Sequence, residues 1–272
     1  MGTQPRRPRI ERMTTTPESA QTRRGVKRAR ANRRSMVVLV LGELIFTAGI
    51  LIAAFMGWKV FLNDAIFSAS QTQAAEDLSA TWEEETPAEE PEGETPTDPG
   101  APPVLGDQND GTAFANIIVP RFGKDFRKPV AEGVGHNVLN TSRLGIGRYP
   151  TTQLPGELGN VVLAAHRSAY GGAFHNINSL VVGDRVYLET KAGWYQYTYR
   201  NTEYVRASQG EVLAAVPHQV GAQPTESLLT LTTCNPIYST AERMIVYTVF
   251  DRWYPRAGGA PAEIADTVKA SD

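Results

Sequence analysis

The chain has 272 residues, of which 27 are basic and 29 acidic, and its net charge of −2 says little about partners because the two signs are segregated along the sequence. The length allows one or two folded domains, and the composition favours one. Cys234 is the only cysteine, which excludes an intrachain disulfide.

The first 34 residues are rich in arginine and lysine and poor in apolar residues, which predicts disorder. A nucleic-acid-binding arm is one interpretation of such a run. The next segment argues against it, because residues 36–58 carry a single charge, Glu43, and can cross about 30 Å of hydrocarbon as a helix. We therefore predict a basic cytoplasmic tail over residues 1–35 and an uncleaved transmembrane helix over residues 36–58.

The orientation of this helix follows from its basic flank. Because arginine and lysine precede the apolar run, the N-terminus is predicted to be cytoplasmic and the chain after Lys59 extracellular. A cleaved signal peptide is the alternative, but it would have a shorter apolar region. Glu43 is either tolerated near the cytoplasmic third of the membrane or contacts another membrane helix.

An acidic, proline-rich segment follows the membrane helix. Residues 60–80 can continue as a helix, whereas residues 82–103 contain too few apolar side chains to form a core. We predict an extracellular stalk and linker over residues 59–112, with a specific acidic docking site as the alternative. A chain that begins near Gly111 is therefore expected to fold.

Short strand-like runs separated by turn residues dominate the rest of the chain. They cover residues 115–120, 143–149, 160–165, 185–189, 194–206, 227–233 and 243–251. The only helix candidates are residues 170–180 and 211–216. This pattern predicts a mostly β domain, a barrel or a sandwich, over residues 113–255. Residues 256–272 are predicted to be a flexible tail.

The stretch from residue 227 to residue 252 places a thiol at the end of one strand and a guanidinium at the start of the next. A lone cysteine in an apolar strand is usually a small buried hydrophobic residue. Composition alone therefore does not decide whether Cys234 is a reactive thiol.

The order Thr230-Leu231-Thr232-Thr233-Cys234, followed by Arg243, resembles the signature of the sortases, cysteine transpeptidases of the Gram-positive cell surface. His166, in GNVVLAAHRSAY, matches the family's histidine, although Ala165 stands where many relatives have glycine. The resemblance covers residues 114–252. It implies an eight-stranded closed β-barrel with short connecting helices, preceded by one transmembrane helix. Residues 148–160 and 166–167 look most like the class E branch, a housekeeping enzyme of high-GC bacteria.

The resemblance also implies a role for each site residue. Cys234 is the nucleophile, His166 exchanges a proton with the thiol and protonates the leaving amine, and Arg243 donates hydrogen bonds to substrate or oxyanion. Thr233 helps to form the oxyanion site. The implied reaction cleaves the Thr–Gly bond of a Leu-Ala-x-Thr-Gly or Leu-Pro-x-Thr-Gly sorting signal and transfers the protein to a peptidoglycan amine. No metal or cofactor is expected.

Three alternatives remain at this point. A pilin-polymerising sortase would carry a lid, of which Asp125-Phe126 is a weak sign. An L,D-transpeptidase would place its histidine close before its cysteine, whereas His166 lies far upstream of Cys234. A non-catalytic, membrane-tethered binding module would have an ordinary thiol.

Overall fold

The computed structural model of the chain describes residues 2, 19–58, 62–85 and 100–269. Helix α1 (Ser19–Gly57) contains one span, Ser35–Gly57, that is long and apolar enough to cross a membrane. The predicted span of residues 36–58 differs from it by one residue at each end. The expected disorder over residues 1–35 is wrong from Ser19 onward, because the arginine, lysine and alanine residues there are good helix formers.

Residues 57–272 form a second compact unit, built on a closed barrel of eight strands. The strands are β1 (Ala113–Ile118), β2 (Arg127–Glu132), β3 (Ile146–Arg148), β4 (Gly159–Ala165), β5 (Arg185–Thr190), β6 (Gly193–Arg206), β7 (Ser227–Asn235) and β8 (Glu242–Pro255). Their order around the barrel is β1-β2-β3-β4-β7-β8-β6-β5. The α-helices among the described residues of this unit are α2 (Asn63–Glu85), α3 (His136–Leu139) and α4 (Ala265–Lys269). The eight-stranded closed barrel expected from the sequence is confirmed.

The barrel interior is filled by alternate residues of each strand. Leu229 and Leu231 of β7 and Val161 and Leu163 of β4 belong to one core cluster and are at most 1% exposed. Because successive side chains of a strand point to opposite faces, the residues between them face outward. This alternation decides which strand-end residues can form a site on the outer surface.

Strand β2 was not predicted from the sequence, because Arg127, Lys128 and Pro129 make its composition unlike that of a strand. In the structure Arg127 and Lys128 are buried, and Pro129 lies opposite Asn116 of β1. The side chains of Arg127 and Lys128 are covered by α2, with which both form polar contacts.

Helix α2 packs along the barrel, which corrects the predicted stalk over residues 59–112. Its buried residues are Gln71, Ala75, Ser79 and Trp82. The Ser79 hydroxyl donates to Glu189 Oε2 at 2.5 Å, and Lys128 Nζ donates to the hydroxyls of Ser68 and Thr72, each at 2.8 Å.

Burial lowers the pKa of Lys128 to about 8, and the charge of Glu76 opposes this shift. The inner face of α2 is polar, so hydrophobic periodicity did not reveal its packing.

The residues after β8 also pack against the barrel, which corrects the predicted flexible tail. Arg256 is buried, pairs with Glu189 at 3.0 Å, and stacks over Trp194 at 4.7 Å. Ile264 and Val268 join a second apolar cluster with residues of β1, β5 and β6. The barrel therefore depends on segments from both ends of its unit.

We expect a chain that begins at Gly111 to be less stable than one that begins at Leu62. It lacks α2 and so loses the burial of Trp82 and the partners of Lys128. A loss of about 2 kcal/mol corresponds to a decrease in Tm of about 4–8 °C for a domain of this size. Thermal unfolding followed by circular dichroism measures it. In the longer chain, Trp82→Ala should lower Tm and the exposed-site control Glu84→Ala should not. Equal Tm values for the two chains would contradict this packing role.

Candidate active site

Cys234 and Arg243 are directly opposite each other in the antiparallel pair β7–β8. Leu231, three residues before Cys234, and Met244, next to Arg243, belong to the barrel core. By strand alternation, Cys234 and Arg243 therefore share the outer face of the sheet, where directly opposed side chains lie close together. Both are partly exposed. The register thus brings a thiol and a guanidinium together at one end of the barrel.

His166 reaches the same place through the parallel pair β4–β7. The last pair in that register joins Ala164 to Thr232, two residues before His166 and Cys234 respectively. Continuing the two strands in parallel brings the imidazole to the level of the thiol and on the same face. His166 follows the last residue of β4, Cys234 is the second-last residue of β7, and Arg243 is the second residue of β8, so all three lie at the same end of neighbouring strands.

A second set of polar contacts ties the same strand ends together. Arg167, which follows the histidine, donates from Nη1 to Asn235 Oδ1 at 2.6 Å and from Nη2 to Asn178 Oδ1 at 3.2 Å. Asn235, which follows the cysteine, donates to Glu242 Oε2 at 3.0 Å. These bonds link the residues next to His166, Cys234 and Arg243 to one another. They were not anticipated from the sequence.

The imidazole of His166 is held between an amide and an aromatic ring. Its Nε2 lies 2.8 Å from Asn140 Oδ1, and its ring centroid lies 5.1 Å from that of Tyr170. Burial lowers the pKa of His166, while the charge of Asp64 raises it and that of His136 lowers it further. The neutral imidazole is therefore favoured near neutral pH.

The hydrogen bonds of Arg243 and Thr233 fix both side chains. Arg243 Nη1 donates to the carbonyls of Thr240 and Glu242, at 3.1 and 2.9 Å, which holds the guanidinium at the β8 end of the connecting loop. The Thr233 hydroxyl is buried and donates to the carbonyl of Ala165 at 2.7 Å. This hydroxyl therefore joins β7 to β4.

Tyr149 is a site residue that sequence reasoning did not select. Burial raises its pKa, with Arg243 opposing the shift and Cys234 adding to it, so the phenol lies within electrostatic reach of both groups. Asn140 and Tyr170 were missed too. All three lie in or beside loops, where only the closed barrel reveals their proximity. Among the described residues, no group of three or more His, Cys, Asp or Glu side chains is placed to hold a metal ion.

Comparisons with known proteins agree with this architecture. The Sortase domain family matches residues 117–250. Sortase SrtE2 of Streptomyces coelicolor is 30% identical over 217 residues, covering 78% of this chain and 81% of the relative. The solved structure of the SrtA sortase from Actinomyces oris matches with 35% identity and a TM-score of 0.57, over 61% of this chain and 94% of that one. Sortase E1 from Streptomyces coelicolor, solved with a tripeptide in the active site, matches with 32% identity and a TM-score of 0.52, over 58% of this chain and 99% of that one.

A closed eight-stranded barrel with these matches defines a cysteine transpeptidase of the sortase type. The chain belongs to the sortase family. The similarity to sortases named E confirms the resemblance to the class E branch that residues 148–160 and 166–167 indicated. Helix α2 lies outside the part of the chain that the family match covers.

Proposed function

We propose that Cys234 is the nucleophile of a two-step acyl transfer, with His166 and Arg243 as its catalytic partners. The observation that carries this proposal is the strand register, which opposes Cys234 to Arg243 and sets the strand of His166 parallel to that of Cys234. The proposed reaction needs a thiol, a proton-transfer group and a directed cation at one place, and the register supports the assignment of these roles to Cys234, His166 and Arg243.

In the first step the Cys234 sulfur attacks the carbonyl carbon of the threonine in a Thr–Gly bond. His166 takes the thiol proton and returns a proton to the glycine amine as the C–N bond breaks, which leaves a thioester. In the second step an acceptor amine attacks the thioester, His166 removes its proton, and the thiolate departs. The lowered pKa of His166 favours the neutral imidazole that can take a proton at the start.

Arg243 is proposed to bind the substrate carbonyl or the developing oxyanion. A guanidinium carries five N–H donors, and the two described bonds of Arg243 use Nη1 alone. For Thr233 the proposed contribution to the oxyanion site is through the backbone, because its hydroxyl already donates to Ala165. Preorganised donors of this kind act in the transition state rather than on the bound substrate.

The proposed substrate is a C-terminal sorting signal of the Leu-Ala-x-Thr-Gly or Leu-Pro-x-Thr-Gly type, and the acceptor is a peptidoglycan amine. The tripeptide in the active site of the solved sortase E1 from Streptomyces coelicolor supports a peptide ligand. Incubating the enzyme with both signal peptides and an acceptor amine, and detecting a thioacyl adduct by mass spectrometry, tests this. Cleavage of neither peptide would contradict the proposed substrate. Transfer only to a pilin lysine would favour the polymerising alternative.

We propose that α1 anchors the enzyme with its N-terminus in the cytoplasm and the barrel outside the cell. The span Ser35–Gly57 and the basic residues before it support this orientation. Protease added to intact protoplasts is expected to remove the barrel and to spare an epitope tag fused to the N-terminus. Lysed protoplasts, in which both ends are digested, are the control. Protection of both ends in intact protoplasts would contradict the proposed topology.

A further inference from the structure

Helix α2 reaches the loops on both sides of the His166 imidazole through one buried side chain. Gln71 is fully buried, and its Nε2 donates to the carbonyl of Thr141 at 3.2 Å and to that of Tyr170 at 3.0 Å. A Cβ atom on Gly145 or on Gly171 would collide with the Gln71 amide. The barrel loops therefore leave room for this amide and receive two hydrogen bonds from it.

The two loop segments that Gln71 joins are those that contact the imidazole. Asn140, the residue before Thr141, lies 2.8 Å from His166 Nε2. Tyr170 lies against the imidazole ring and is also packed edge-on by Phe67 of α2, with ring centroids 5.9 Å apart. The Gln71 amide thus links the loop that carries Asn140 to the loop that carries Tyr170.

The backbone after His166 has a conformation that needs outside support. Ala169 and Tyr170 have φ values of 70° and 51°, a left-handed conformation that is unfavourable for residues with a Cβ atom. Asp64, in the first turn of α2, accepts the backbone N–H of Ala169 at 3.0 Å and that of Gly171 at 3.5 Å. Strained backbone of this kind persists where surrounding contacts hold it, and here α2 supplies them.

We propose that α2 positions His166 for catalysis, with Gln71 and Asp64 as positioning residues that hold the loops flanking the imidazole. The proposal rests on the proposed role of His166 and adds a helix outside the family match to the machinery. Proton transfer requires the imidazole to lie within hydrogen-bond reach of the reacting atoms, so a small displacement of its two neighbours reduces the rate.

Gln71→Met in the full-length chain, purified in detergent, tests this role, because methionine keeps the length of the side chain and removes both donated hydrogen bonds. The matched control is Ser79→Ala on the same buried face, which weakens the packing of α2 at Glu189. Gln73→Met is the control for the exposed face, since Gln73 bonds only within the helix. For each variant, Tm, kcat and KM on a sorting-signal peptide are measured well below Tm.

We expect Gln71→Met to lose about 10-fold or more in kcat with KM nearly unchanged, because peptide binding persists while proton transfer slows. Ser79→Ala should lower Tm at least as much as Gln71→Met does and keep kcat within about two-fold of wild type. Gln73→Met should likewise keep kcat within about two-fold of wild type. A kcat for Gln71→Met within two-fold of wild type would overturn the proposal. Equal losses of kcat in Gln71→Met and Ser79→Ala would also overturn it, since they would show general loosening of α2. Turnover by Cys234→Ala, by contrast, would overturn the proposed function itself.

Discussion

Replacing Cys234 with alanine is expected to abolish cleavage and transfer of a sorting-signal peptide while the fold stays intact. The change removes the sulfur that is proposed to form the thioester, and the loss should be about 10⁴-fold or more, the scale expected when a nucleophile is removed. Cys234→Ser should be nearly as inactive, because a hydroxyl is far less nucleophilic without a strong base. The side chain is only partly buried, so Tm should change little.

The measurement is steady-state transpeptidation, with the intact mass of the enzyme recorded during turnover. Because Cys234 is the only cysteine, an acyl adduct that hydroxylamine removes can be assigned to it without peptide mapping. Wild type should accumulate the adduct and Cys234→Ala should not. Appreciable turnover by Cys234→Ala at unchanged Tm would refute the nucleophile assignment. A large fall in Tm would indicate that Cys234 has a structural role instead.

Arg243→Lys is expected to lose nearly as much activity as Arg243→Ala. Lysine keeps the positive charge but lacks the planar fork, so a role limited to attracting the thiolate would leave the lysine variant active. If the guanidinium donates directed hydrogen bonds to the oxyanion, both variants should lose about 10²–10³ in kcat/KM, the scale of removing an oxyanion donor. Near wild-type activity in Arg243→Lys would exclude the directed role.

The matched control is Arg252→Ala, which removes an exposed arginine from the same strand β8. It should leave kcat/KM and Tm unchanged. The rate of Cys234 alkylation by iodoacetamide should fall less in the Arg243 variants than the rate of transpeptidation, because alkylation does not need an oxyanion site. A fall in Tm that parallels the loss of activity would indicate that Arg243 supports the strand end instead.

Much of the barrel is predictable from the sequence because its strands alternate core residues with outward ones, as Leu229 and Leu231 do in β7. The exception, β2, shows the limit of that reasoning. Arg127 and Lys128 are buried there by a polar helix rather than by apolar side chains. The sequences of β2 and α2 therefore lack the regular spacing of apolar residues that would have indicated this contact. A buried polar side chain depends on hydrogen-bond partners that are distant in sequence, and local composition does not identify those partners.

The candidate site divides in the same way. Cys234, Arg243 and His166 could be selected because they lie at or next to strand ends and match a spaced motif, and the register opposes Cys234 to Arg243 and sets β4 parallel to β7. Asn140 and Tyr170, which touch the imidazole, lie in loops that carry no motif. Their positions depend on how the barrel closes and on α2, a helix that the sequence indicated over residues 60–80 but assigned to a stalk rather than to the barrel.

The parallel pairing of β4 with β7 also bears on when the enzyme becomes reactive. The bonds that join the two strand ends, from Arg167 to Asn235 and from Thr233 to Ala165, each span 68 residues of sequence. Such contacts form only after the entropy of closing a long loop has been overcome, so they belong to the late and slow part of folding. The β7–β8 pair that opposes Arg243 to Cys234 is local in sequence, so before β4 joins β7 it is the histidine that Cys234 lacks. We therefore expect the proposed proton transfer between Cys234 and His166 to become possible only after β4 has paired with β7.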